Sequence, residues 1–370
     1  MTNYYENLKS AINEGIDGKN EGLSTGFQRL DNYISLKRKM LISVIGSPGS
    51  GKSAFTNLAF LMNPFEDNFS TNKVKLKIIL FSMERSIVFS FGKWMCLKIF
   101  QEQGVDLDLG TLLGWYRNKK LTPDGFKYVE LYEDYFTNLQ NTLDIYEGQR
   151  SPNDIFRIVK GYSETAGKEE NISEFKKKYI ANDPNEHVIV IVDHIGLTKP
   201  IKDYPTKKQA IDRLVEHLQY FRDHLGYTCV AVSQLNRDLS NPLYKKMDSF
   251  EPHLDNIKET GNLGEASDIV LSLFDPIRYN TTDKNYGDVE KFRSPINGNK
   301  YFRSVAILKN SYGVDGASIG TVFMGQNGLF KELPKSTEIR EWQQKDYDSI
   351  FNHTYFLQKP LIPLEKAIRI

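Results

Sequence analysis

Residues 41–55 read LISVIGSPGSGKSAF. An apolar run breaks into a turn of glycines, serines and one proline, then re-enters a helical pattern at Lys52. A buried strand that feeds straight into a helix has to pack that helix back onto a sheet, which commits the chain to a layered α/β arrangement. The turn itself, Gly46-Ser47-Pro48-Gly49-Ser50-Gly51-Lys52-Ser53, satisfies G-x-x-x-x-G-K-[ST] in full. Its glycines let backbone N–H groups turn inward around phosphates, Lys52 adds a point charge, and the Ser53 hydroxyl suits Mg²⁺. The start of the following helix favours the same anion. A chance Gly/Ser turn is the bland alternative, and the flanking strand and helix argue against it.

Strand and helix patterns alternate onward from there. Val74–Ser82, Leu143–Tyr146, Val188–Val192, Thr228–Ser233, Ile269–Phe274, Ser304–Leu308 and Ile319–Phe323 read as strands. Lys52 to Met62, Ile87–Phe100, Pro123–Leu139, Pro152–Tyr179 with a break near Gly167, and Thr206–Leu225 carry helical spacing. Val188–Val192 (VIVIV) is an unbroken β-branched run of the kind covered on both faces. The expected fold is α/β: a mainly parallel twisted sheet flanked by helices, with a C-terminal antiparallel hairpin. Residues 1–21 read as a short helix and linker, 22–335 as one large domain, and 336–370 as an extended tail. The polar stretches 164–187 and 277–303 read as surface insertions.

Bulk properties exclude more than they select. Lys+Arg 48 against Asp+Glu 47 leaves a formal charge of +1, so net charge gives no support to a polyanionic partner, though a local basic channel remains open. Cys96 and Cys229 sit in separate apolar runs, which fits buried thiols in a reducing compartment and not a four-cysteine zinc site. The N-terminus has no apolar core for a signal peptide, and no run approaches the ~18 apolar residues of a membrane span. A cytoplasmic location is expected, the host cytoplasm if the source is viral.

Three polar residues close apolar strands. Asp193 ends VIVIVD, where a carboxylate can hold Mg²⁺ through water, and no other strand-end aspartate competes as well. Glu84, in ILFSMERS, stands where a general base could act on water, or equally where a carboxylate could cap the next helix. Gln234, in AVSQLNRDL, could contact a γ-phosphate, or simply face solvent. His194 suits a packed role better than a catalytic one.

Taken in order, GLSTGFQRLDNYI, FSMERS, IVIVDHIGL, AVSQLNRDL and IKETGNLGEASDIVLSLFDP resemble the motor domain of DnaB-like replicative helicases, within the RecA-like ATPases. The resemblance covers about residues 22–335, and its most specific parts are Ser233 to Arg237 and Ile257–Asp268. It implies an ATP hydrolase that forms a ring, expected to be a hexamer, and unwinds duplex while moving on single-stranded DNA. It implies Lys52 and Ser53 on phosphate and Mg²⁺, Asp193 on Mg²⁺, Glu84 as catalytic base and Gln234 as coupling sensor. The loop from Asn236 would face the channel, with Arg237, Lys245 and Lys246 on the DNA backbone. A solvated basic loop would look the same.

The family's Lys-Gln-Arg-Asn-Gly run, whose cations reach a neighbour's nucleotide, is here LKNSYG. Lys309 is kept and Ser311 replaces the arginine. Either Lys309 suffices, or Arg303 from the same hairpin substitutes, or turnover is slow. The N-terminal collar of bacterial members has no counterpart in residues 1–20, so a compact phage- or plasmid-type layout is expected, with the short first helix docking on the next subunit. Primase or a loader are the further partners that the family suggests. Two rivals stand beside the helicase: a RecA- or RadA-like recombinase filament, and a DnaB-like ATPase that uses nucleotide only as an assembly switch or loader.

Overall fold

The computed structural model describes residues 3–18, 20–173, 176–235, 252–257, 261–275, 301–333 and 368–369. Its first element is a helix, α1 (Tyr4–Ile16), with no buried residue. The central sheet takes nine strands: β1 (Met40–Gly46), β2 (Lys75–Ser82), β3 (Leu143–Glu147), β6 (Glu186–Asp193), β7 (Thr228–Gln234), β8 (Ile269–Phe274), β9 (Phe302–Asn310), β10 (Ser318–Met324) and β11 (Leu329–Glu332). A separate antiparallel ribbon, β4 (Gly167–Ser173) with β5 (Lys176–Ala181), stands between β3 and β6 in the chain.

Across the sheet the order is β11-β10-β9-β8-β1-β7-β6-β2-β3. From β3 to β8 the neighbours run parallel. From β8 to β11 they run antiparallel. The expected α/β sheet with an antiparallel C-terminal edge is therefore present, enlarged by β11, whose four residues had no recognisable period.

Strict alternation sends side chains to both faces, and both are covered. Ile42, Val44, Ile78, Leu80, Ile189 and Ile191 join Phe55, Phe60, Trp94 and Phe100 in one core. Leu41, Ile45, Ile79, Phe81, Val190 and Val192 join Ile155, Ile211, Leu214 and Leu218 in the other. Burying both faces is what an unbroken apolar strand requires, each large side chain contributing about 1.5–3 kcal/mol relative to exposure.

The helices have legible ends. α2 (Lys52–Asn57) runs into a π-helical turn, Leu58–Met62, and then α3 (Asn63–Thr71), so the helical segment is longer than its apolar run suggests. α4 (Ile87–Gln103) begins at Ser86, whose hydroxyl accepts from Phe89 N, and stops at Gly104 with φ 66°. Capping boxes open α5 (Pro152–Ala166, Ser151 with Asp154) and α6 (Lys207–Tyr220, Thr206 with Gln209).

The helical reading of 152–179 holds only to Ala166; beyond it the chain forms the β4–β5 ribbon. A Cβ on Gly167 would lie 2.5 Å from Ile180 O and 2.6 Å from the Tyr179 ring, so the ribbon closes there against glycine. Glu169 fastens it, accepting from Lys160, His224 Nε2 and Tyr220 Oη. The Lys160 contact, chiefly, pulls its carboxyl down to about 2. At the far end, the backbone of Ile368–Arg369 pairs antiparallel with Lys120–Leu121.

Candidate functional site

The parallel strands β1, β2, β6 and β7 end along one edge, where an open α/β sheet builds its binding crevice. Register fixes who meets whom there. Gly46 lies opposite Gln234, and Ser82 opposite Asp193. Met83 N donates to Asp193 O at 2.8 Å, and Ser82 Oγ to Arg85 O at 2.8 Å, folding the Glu84 turn against the end of β6.

The glycine-rich turn is shaped as its composition demands. Gly49 and Gly51 hold φ 80° and 95°. A Cβ on Gly51 would also sit 2.8–2.9 Å from the Phe330 and Phe323 rings, which stack on each other at 4.5 Å beside the loop. At Gly46 a Cβ would fall 2.6 Å from Leu273 O. The loop thus has room for backbone alone on both sides.

Lys52 Nζ donates to Gly46 O at 2.8 Å and Ser47 O at 2.9 Å. Ser53 Oγ donates to Asp193 Oδ1 at 3.1 Å. Burial pushes the Asp193 carboxyl above its ordinary pKa and Glu84 pushes the same way, while Ser53, Arg85 and Lys52 pull it down. Ser47 Oγ is buried without a hydrogen-bond partner among the described residues.

A cavity of about 480 Å³ opens here, and Gly49, Gly51, Lys52, Ser53, Glu84, Asp193 and Gln234 all line it. That volume lies in the range of small-molecule and cofactor sites, roughly 300–1,000 Å³. His194 also lines it, buried, with Nδ1 accepting from Gly196 N at 3.2 Å. Three contributors were not singled out from sequence. Arg85 lies over the Phe89 ring at 4.6 Å, Lys93 reaches in from α4, and the Gly325–Gly328 turn between β10 and β11 forms one wall. Arg85 adjoins Glu84 in SMERS and could have been found; a mid-helix lysine and a late turn carry no local signal.

The two cations weighed for contact with a neighbour lie at opposite ends of β9. Lys309 pairs with Val270 near the start of β8, away from the glycine-rich turn, and its Nζ donates to Gly264 O at 3.1 Å and Glu265 O at 2.8 Å. Arg303 is at the other end, buried, with Nη2 3.0 Å from Asp275 Oδ2. Asn236, Arg237, Lys245 and Lys246 lie outside the described residues, as does most of the 277–303 stretch and of the 336–370 tail.

The residues present fit a nucleoside triphosphate with Mg²⁺. Backbone cradle, lysine, hydroxyl and strand-end carboxylate form the donor set, and Mg²⁺ commonly takes one or two protein ligands plus phosphate oxygens and water. Among the described residues no cluster of three or more His, Cys, Asp or Glu could hold a metal by itself.

Fold and sequence together give a RecA-like α/β architecture with a phosphate-loop motif at its crevice. Residues 164–332 match the family model described as the DnaB-like helicase C-terminal domain. The chain is 23% identical to a probable replicative DNA helicase of Trieres chinensis, over 71% of this chain and 50% of that one. It is 22% identical to the replicative DNA helicase DnaB of Helicobacter pylori, over 94% and 69%. Its fold matches that of a solved ATPase domain with a TM-score of 0.65 at 18% identity, covering 90% of this chain and 100% of that one. A DnaB-like replicative helicase solved with regard to its interactions with primase matches at 0.62 and 17%, over 89% and 66%. Over these stretches the chain is similar to the replicative DNA helicases, and it spans about half the length of the Trieres protein.

Proposed function

We propose that the chain is the motor of an ATP-dependent replicative DNA helicase, working as a ring on single-stranded DNA. The observation that carries the reading is the single cavity shared by Lys52, Ser53, Glu84, Asp193 and Gln234. Phosphate binding alone would need only the cradle. A carboxylate in reach of water and an amide at the end of the adjoining strand add the parts for hydrolysis and for sensing its outcome.

Lys52 exchanges its two carbonyl contacts for phosphate oxygens, and Ser53 and Asp193 hold the metal. Bound Mg²⁺ supplies charge neutralisation across the terminal phosphates. Glu84 orients and deprotonates the attacking water. Gln234, directly opposite Gly46 in the β1–β7 register, passes loss of the terminal phosphate to the segment beginning at Asn236. In that segment Arg237, Lys245 and Lys246 track the DNA backbone, an interaction that weakens steeply with salt.

Lys309 faces away from the chain's own cradle, the side a head-to-tail ring turns toward its neighbour. α1 suits the same ring: Tyr5, Leu8, Ile12 and Ile16 are more than half exposed and recur at helical spacing, as a helix that docks on another subunit requires. Primase or a loader are the partners in keeping with this role.

The test is displacement of a labelled strand from forked DNA with Mg²⁺–ATP, alongside the mass of the assembly with a non-hydrolysable ATP analogue. Displacement by a ring supports the helicase. A filament that binds single strands without displacement favours the recombinase, and nucleotide binding with neither favours an assembly switch.

A further inference from the structure

Two lysines line the 480 Å³ cavity, and both rest their ammonium groups on pairs of backbone carbonyls. Lys52 does so on Gly46 and Ser47. Lys93 does so from α4, donating to Gly325 O at 3.1 Å and Gln326 O at 2.7 Å. The turn that Lys93 touches has fastenings of its own. Asn327 Nδ2 donates to Asp106 Oδ1 at 3.1 Å, and Asn327 Oδ1 accepts from Leu329 N at 3.1 Å. Phe323 and Phe330 seat the two flanking strands beside Gly51.

Among the described residues, the Lys93 ammonium contacts two neutral oxygens and no carboxylate. Burial pulls its pKa below that of an ordinary lysine; the nearby Arg85 charge adds to this, and Cys96 and Asp108 oppose it. A half-buried cation on the wall of an anion cavity, held only by neutral acceptors, gains when an anion replaces them, because charge-assisted hydrogen bonds are roughly twice as strong as neutral ones.

We propose that Lys93 is a second phosphate-binding cation of this cavity, parked on the Gly325–Gly328 turn and transferred to the polyphosphate of a nucleoside di- or triphosphate when it enters. The role rests on the nucleotide reading of the cavity. A flexible four-carbon stem carrying a point charge suits a group that has two resting places, where a rigid guanidinium fork would suit one.

The test uses calorimetry on the full chain with Mg²⁺–ADP and with Mg²⁺–pyrophosphate, for wild type, Lys52→Ala, Lys93→Met, Lys93→Arg and Asn327→Ala. Lys93→Met should weaken both ligands by about tenfold, the scale of one hydrogen bond to a charged group, with Lys93→Arg recovering most of the loss. Asn327→Ala, which loosens the turn and leaves the charge, should spare pyrophosphate. If Lys93→Met binds both ligands as wild type does, or loses ADP while keeping pyrophosphate, Lys93 only shapes the turn and the proposal falls. Should Lys93→Met melt early, Lys93→Gln is read by the same criteria. If wild type binds neither ligand, the nucleotide reading fails first and takes this one with it; if only Lys52→Ala loses binding, that reading stands and Lys93 is excluded.

Discussion

The Ser53 hydroxyl donates to the Asp193 carboxylate at 3.1 Å, joining the start of α2 to the end of β6 across 140 positions of sequence. The contact places side by side the two groups that we propose share a Mg²⁺ ion. Asp193→Asn should therefore leave the fold intact and raise the Mg²⁺ concentration needed for half-maximal ATP turnover by about tenfold or more, the scale of one charged contact. A Mg²⁺ titration of the steady-state rate checks this; an unchanged requirement would remove Asp193 from the metal site.

Lys52→Ala should abolish turnover and nucleotide binding together, since it removes the cation already seated within the cradle. Glu84→Gln should separate the two, sparing binding while turnover falls by about 10²–10⁴-fold, the usual contribution of a general base. Fluorescent-nucleotide binding measured beside phosphate release distinguishes these outcomes.

Lys309 lies at the end of β9 remote from the chain's own phosphate loop. Lys309→Ala mixed with wild-type chains should depress turnover more than in proportion to its fraction, because each variant protomer disables a neighbour's site. A strictly linear dependence on the mixing ratio would show that Lys309 acts within its own chain or not at all.

Two buried histidines make stability depend on pH. His187 meets Thr228 Oγ1 at 2.9 Å, and His217 lies against Phe156 at 4.5 Å; burial, chiefly, pushes each down to about 4 from an ordinary 6.5. The folded state thus binds fewer protons than the unfolded chain between those values. Stability should be full above pH 6.5 and fall as pH drops toward 4, by roughly 3 kcal/mol at most for His187 and by less for the more solvent-screened His217. Denaturant melts at pH 7 and pH 5 check this, and His217→Gln should flatten part of the slope.

Much of this molecule was legible along the chain because the signals are local. An unbroken apolar run and a glycine loop between strand and helix each report on a few neighbouring dihedrals. Val188–Val192 and Gly46–Ser53 are such cases, and they appear as a doubly covered strand and a turn with positive φ at Gly49 and Gly51. The ribbon after Gly167 escaped because charged residues at helical spacing carry no mark of a partner strand. What closes it is a contact between Gly167 and Tyr179 in space.

The amino-acid order by itself determined the cradle, the strand ends and the α/β layering, since backbone sterics and burial act within short windows. Only the tertiary structure decided that Glu84, Lys93, Asp193, Gln234 and the Gly325–Gly328 turn share one cavity, and which partners Arg303 and Lys309 meet at opposite ends of β9. Strand order and register set those distances. They arise from how both sheet faces are buried at once, a condition on the whole chain that no segment carries alone.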